Sequence, residues 1–172
     1  MTLSAHLITY LVHDIVSPLT ALTSTLDLAQ MEDDFWETGG EEMIQKSAQS
    51  LKDRIRFFRA LWGLEGPFEE TVAPKYLKTL STPIKLVGTA KTQTQLGAVL
   101  LGIHLLPSGG TLTLSPTNLK IQGQHFKNVS EIQKLLATGG ELTLQTAPVL
   151  AFKEKAPKAT LNQDKDTLIL SF

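Results

Sequence analysis

His13, Asp14, Ser17 and Pro18 are the residues whose types and spacing point most directly to chemistry. A neutral imidazole nitrogen is a competent nucleophile toward phosphorus, and the reference histidine pKa of ~6.5 leaves such a ring mostly unprotonated at neutral pH. The phosphoramidate it forms is a high-energy bond, so exchange with a carboxylate can run in both directions. Asp14 could orient the ring or accept its proton, and the Ser17 hydroxyl, one turn on, could hydrogen-bond near the reacting group. Phosphoryl transfer otherwise demands in-line positioning and charge neutralisation. A lone histidine on a polar helix face is more often a solvated side chain, so the surrounding pattern must argue for anything further.

The element that carries these residues is written in the periodicity. Leu3, Leu7, Leu11, Ile15, Leu19, Leu22, Leu26 and Ala29 recur in steps of three and four, which defines one apolar face of a long helix. The opposite face carries Thr2, His6, Thr9, His13, Ser17, Thr20, Ser24 and Asp27, none of them hydrophobic. His13 is therefore expected to face solvent midway along the helix, within reach of a partner. Proline inside a helix removes a backbone hydrogen bond and crowds the carbonyl four residues back, at a cost of ~3 kcal/mol. Pro18 is thus expected to free the backbone near Asp14 and to kink the helix one turn beyond the histidine.

The acidic stretch 31–40 interrupts this pattern. A second one runs through Ile44, Ala48, Leu51, Ile55, Phe58 and Trp62 until Gly63 and Gly66-Pro67 stop it. Two long helices joined by a short loop make an antiparallel hairpin, and two helices cannot enclose a core alone. Pairing of two copies into a four-helix bundle is the simplest remedy. After Pro74 the chain turns to short β-like runs. Residues 84–87 read as a strand, 92–106 as a helix, and 111–114 with 119–122 as a β-hairpin. Residues 130–137 and 146–155 read as short helices, and 167–172 as a last strand. The fold class is α+β: a helical hairpin over residues 1–66, then a small α/β sandwich over 67–172 with helices on one face of a mixed sheet.

The run HDIVSPLTAL from His13 to Leu22 resembles the H-box of sensor histidine kinases, in which the phospho-accepting histidine is followed by an acid and then by a small polar residue and proline. The second half lacks the rest of a kinase. The helix at 92–106 has no asparagine or acid to hold Mg²⁺, Gly123, Gly139 and Gly140 form no DxGxG or GxG pattern, and no aspartate occurs between Asp53 and Asp164. With KSAQSLKDRIRFFRALWG at 46–63 and GAVLLGIHLLPSGGTLTL at 97–114, nearly the whole chain resembles the alphaproteobacterial histidine phosphotransferases of the ChpT type. In these a kinase-like dimerisation hairpin precedes a degenerate, non-ATP-binding domain. Gly102-Ile103-His104 departs from the more acidic stretch usual in that family.

The resemblance implies a homodimeric phosphorelay intermediate. His13 would accept the phosphoryl group, with Asp14 and Ser17 assisting and Pro18 kinking the helix. Partners would be response-regulator receiver domains and the receiver of a hybrid histidine kinase, which would bring the Mg²⁺; no cofactor is expected on this chain. Docking would use Thr20 and a mixed stripe of the second helix, Met43, Ser47, Ser50, Arg54, Phe57 and Leu61, with Arg54 guiding an acidic receiver pocket. The same stripe suits dimer or interdomain packing equally well. Two competing readings are a pseudokinase-like scaffold that binds a receiver or kinase without being phosphorylated, and a receiver phosphatase using Asp14 and Ser17.

Composition excludes other classes. Sixteen Lys and Arg against 17 Asp and Glu give a net charge of −1, so no bulk field favours nucleic acid or anionic lipid. The chain has no cysteine and no thiolate metal site. Residues 1–12 lack a basic n-region and the ~20 apolar residues of a membrane span, which leads to a cytoplasmic expectation. His6 lacks a following acid and proline and reads as a bystander, His104 as a partly buried, hydrogen-bonded histidine, and His125 as a loop residue.

Overall fold

The computed structural model describes residues 3–31, 34–64, 69–143 and 145–172. Thr2 on the polar face, part of the acidic connection, and the Gly66-Pro67 break with the 66/67 boundary lie outside the described residues.

The long periodic segment is a single helix, α1 (Leu3–Met31), helical on both sides of Pro18. The second, α2 (Gly40–Trp62), opens four residues before the first apolar position of the sequence pattern. Glu41 and Glu42 sit in its first turn and Arg59 in its last, where each charge opposes the helix dipole. Its end is set by Gly63, which takes a left-handed φ of 74° and donates its N–H to the Ala60 carbonyl. Tyr10 lies against Phe58 and Asp14 against Arg54, so the two helices run antiparallel.

The next element, α3 (Val72–Lys78), carries the chain past Pro74 as helix, where short β-like runs were expected to begin. Pro74 is its third residue, where the missing N–H has no intrahelical acceptor to lose. Beyond it lie β1 (Ile84–Val87), α4 (Gln93–Leu105), β2 (Gly110–Leu114), β3 (Asn118–Gln122), α5 (Val129–Thr138), α6 (Ala147–Lys155), β4 (Thr160–Asp164) and β5 (Thr167–Ser171). Thr92 caps α4 by accepting from the Gln95 N–H, and Pro148 occupies the first turn of α6 as the sequence requires. The strand β4 was invisible to pattern reading because Leu161 is its one buried residue.

The sheet order is β1-β2-β3-β5-β4. The β1–β2 pair is parallel, joined by the α4 crossover, and the other pairs are antiparallel. Leu112, Leu114, Leu119, Ile121, Leu161, Leu168 and Leu170 are buried beneath the helices, while the alternate residues of each strand stay at least partly exposed. The architecture is α+β, with six helices and a five-stranded sheet among the described residues. Gly102 lets α4 approach this sheet: a Cβ there would lie 2.7 Å from Leu112.

One hydrophobic cluster runs through the molecule. Phe57, Phe58, Ala60 and Leu61 of α2 and Tyr76 of α3 belong to the same buried group as α4 and the sheet. By contrast, the only buried side chains described on α1 are Pro18 and Thr25. Ile8, Val12, Val16, Leu19 and Leu26 remain exposed on it, as does Ile55 on α2.

Candidate functional site

The site is built on the inner edge of α1. Tyr10, Asp14 and Pro18 follow in steps of four and so lie on one line along the helix. Each is tied down. The Tyr10 ring packs edge-on against Phe58, and its hydroxyl lies 2.7 Å from His104 Nε2 on α4. Asp14 pairs with Arg54 on α2 (Nη1 to Oδ1, 2.9 Å), and Pro18 is buried. His13, one residue off this line, is exposed, as are Ser17 and Thr20. The exposed imidazole thus flanks the anchored line of the helix, and its exposure is what the polar-face spacing implies.

Arg54 joins three elements. Its Nη1 donates both to Asp14 Oδ1 and, at 3.0 Å, to the Asp14 main-chain carbonyl. That carbonyl is the one that would accept the N–H of residue 18 in an unbroken helix, and Pro18 has none to give. Nη2 donates at 2.7 Å to the carbonyl of Thr79, the residue that caps α3. Nε is buried without a hydrogen-bond partner, as is Oδ1 of neighbouring Asp53. The side chains of Arg54 and Asp14 retain 13% and 17% exposure, so little water screens the pair.

These placements correct the sequence reading at four residues. Phe57 is fully buried and Leu61 keeps 7% exposure, so neither can touch a docking protein. Phe57 stacks on Tyr76 with ring centroids 4.0 Å apart, and the reason is α3, which covers this stripe of α2 and had no signature in the pattern. Arg54 is spent on internal acceptors and is not free to guide an acidic pocket. Asp14 has other partners for both carboxylate oxygens, Arg54 for Oδ1 at 2.9 Å and the Tyr76 hydroxyl for Oδ2 at 3.5 Å.

Electrostatics follow from this enclosure. Burial raises the Asp14 pKa above the ordinary carboxylate value, against the opposing pull of Arg54, the Tyr76 hydroxyl and His13. Tyr10 and Tyr76 are both pushed well above the usual phenol range, by burial first and by the Asp14 charge second. His104 is lowered by burial and then by Lys127, although part of its surface meets solvent.

Beside Ser17 and Pro18 an open groove of about 490 Å³ runs between α1, α2 and α3. Lys46, Lys75 and Lys78 stand on its walls with Ser47 and Ser50. Three groups escaped sequence reasoning: Tyr10, the Tyr76–Thr79 end of α3, and these lysines. Only Tyr10 had a signal, its four-residue step to Asp14. Among the described residues no three His, Cys, Asp or Glu side chains gather as a metal site would require. No described helix is long and apolar enough to cross a membrane.

No family model matches the sequence, and no curated protein matches it either. A solved structure does. It is described as a 1.7 Angstrom structure of a bacterial phosphotransferase, and it superposes with a TM-score of 0.75 at 20% sequence identity. The match covers 98% of this chain and 94% of that one, so the likeness is of the whole fold rather than of one part.

Chemically, the arrangement offers one exposed imidazole on an anchored helix, hydroxyls at Ser17 and Thr20, and a basic groove one turn away. The carboxylate nearest in sequence is committed to structure.

Proposed function

We propose that this chain is a histidine phosphotransferase of a two-component phosphorelay, taking a phosphoryl group on His13 from one receiver aspartate and returning it to another. The observation that carries the reading is the exposed imidazole at the head of HDIVSPLTAL, flanking the line of the helix anchored by Tyr10, Asp14 and Pro18. The full-length likeness to a structure described as a bacterial phosphotransferase agrees with it.

The ring nitrogen bearing the lone pair attacks phosphorus, the P–O bond to the donor aspartate breaks, and the carboxylate leaves with the bonding pair. The proton on the other ring nitrogen passes to solvent, and the reverse path discharges the histidine. Mg²⁺ brought by the receiver would offset the phosphoryl charge. Ser17 and Thr20 would border the docked receiver, and Lys46, Lys75 and Lys78 supply the attraction to its acidic pocket that Arg54 cannot.

The exposed apolar stripe Ile8, Val12, Leu19 and Leu26, with Ile55 of α2, would be covered by a second copy, giving a four-helix bundle and a homodimer. The sheet and its helices would be a degenerate kinase ATPase-like domain without nucleotide, since the asparagine and glycine patterns are missing.

The test is transfer of label. Receiver domains phosphorylated with radiolabelled acetyl phosphate are mixed with wild type and with His13→Ala in Mg²⁺. Label on wild type alone is expected. Binding without label on either protein would replace the relay with a scaffold. Receiver phosphate released to solvent by His13→Ala but not by Ser17→Ala would identify a phosphatase.

A further inference from the structure

Pro18 creates a problem inside α1 that another helix solves. A proline five residues beyond the histidine removes the donor for the Asp14 carbonyl, in the turn that carries the imidazole. Left alone, that carbonyl would draw water and the turn would loosen. The structure supplies a substitute: Arg54 Nη1 reaches the Asp14 carbonyl at 3.0 Å and, with the same nitrogen, the Asp14 carboxylate at 2.9 Å. The far side of the fork is held by the Thr79 carbonyl at 2.7 Å, which fixes the guanidinium to the end of α3. Nε is left buried and unpaired, so the group is oriented to serve these acceptors at the expense of its Nε donor.

On the reading that His13 is phosphorylated, we propose that Arg54 is a positioning residue for the transfer: its guanidinium replaces the helix hydrogen bond that Pro18 cannot donate and thereby fixes the turn presenting the imidazole. The arrangement links Arg54 to Asp14 across 40 positions of sequence. Proline keeps the main-chain N–H out of the way, and a side chain from a neighbouring helix takes its place. The pitch of the histidine turn then depends on the α1–α2–α3 junction rather than on α1 alone. A lysine at position 54 would keep the charge but could not fork between the Asp14 carbonyl, its carboxylate and Thr79.

The test compares Arg54→Met and Arg54→Lys in the Pro18 protein and in a Pro18→Ala background, where the restored main-chain N–H at position 18 can donate to the Asp14 carbonyl itself. Single-turnover transfer from phosphorylated receivers to His13 is followed over a range of donor concentrations. In the Pro18 protein both substitutions should slow transfer about tenfold at saturating donor, as misplacement of a reacting group does, with little change in the half-saturating concentration. In Pro18→Ala the same substitutions should cost no more than about threefold, because the two residues act on one carbonyl and their effects do not add. Arg54→Lys carries the comparison if Arg54→Met fails to fold. Equal losses in both backgrounds would overturn the proposal, as would a loss confined to the half-saturating concentration, which would make Arg54 a docking residue. An unlabelled wild type would remove the phosphotransfer reading itself, and this proposal with it. A labelled wild type with indifferent Arg54 variants would remove this proposal alone.

Discussion

Phe57→Ala separates a core role from a docking role at the position where sequence pattern and structure disagree most. Phe57 is fully buried, stacked on Tyr76 at 4.0 Å and edge-on to Phe58 at 5.5 Å. A phenylalanine buries ~150–250 Å², of which the ring beyond Cβ is roughly 120 Å². At ~25 cal/mol per Å² its removal costs about 3 kcal/mol. Loss of the aromatic pairs adds ~0.5–1.5 kcal/mol, giving about 4 kcal/mol in all, within the ~3–5 kcal/mol usual for such truncations. For a chain of this size that lowers the melting temperature by roughly 8–16 °C. Urea unfolding followed by circular dichroism should show the midpoint falling with an unchanged slope. A loss below about 1 kcal/mol, accompanied by weaker receiver binding, would refute the assignment of Phe57 to the core.

Three further perturbations probe the site and its surroundings. Burial raises the folded-state pKa of Asp14 above 3.8, so the folded protein binds the extra proton; stability from this group is present below that value and is lost as pH rises through the folded pKa. Unfolding of wild type and Asp14→Asn across pH 3 to 7 should show this decline in wild type only, and a rise instead would mean that the Arg54 attraction outweighs burial. His104 has a lowered pKa, so its contribution is present above 6.5 and lost as pH falls through the folded value, when the ring that meets the Tyr10 hydroxyl takes up a charge. His104→Gln should be less sensitive to acid than wild type, and identical pH profiles would contradict this. Leu19 and Leu26 keep 44% and 42% exposure on α1. If a second copy covers them, Leu19→Glu with Leu26→Glu should weaken association by ~3–6 kcal/mol, seen in sedimentation as monomer, and an unchanged mass would exclude this face as the interface.

The sequence by itself determined the long helices and the exposure of His13, because a three-to-four residue period is a property of one element and needs no neighbour. It also determined the helix–strand order from residue 84 onward, apart from β4, where Leu161 alone is buried and no alternation can be seen. Tertiary structure decided which stripe of α2 is covered. Phe57 and Leu61 share the mixed composition of an interface, yet they are enclosed by α3 and α4, and α3 is a seven-residue helix containing a proline, too short for a periodic signal. It also decided what Asp14 does. A carboxylate next to a histidine reads as a catalytic assistant until Arg54, 40 residues away, is brought within 2.9 Å of it. Pro18 announced an unpaired carbonyl in the helix of His13, but only the packing of α1, α2 and α3 supplied its donor.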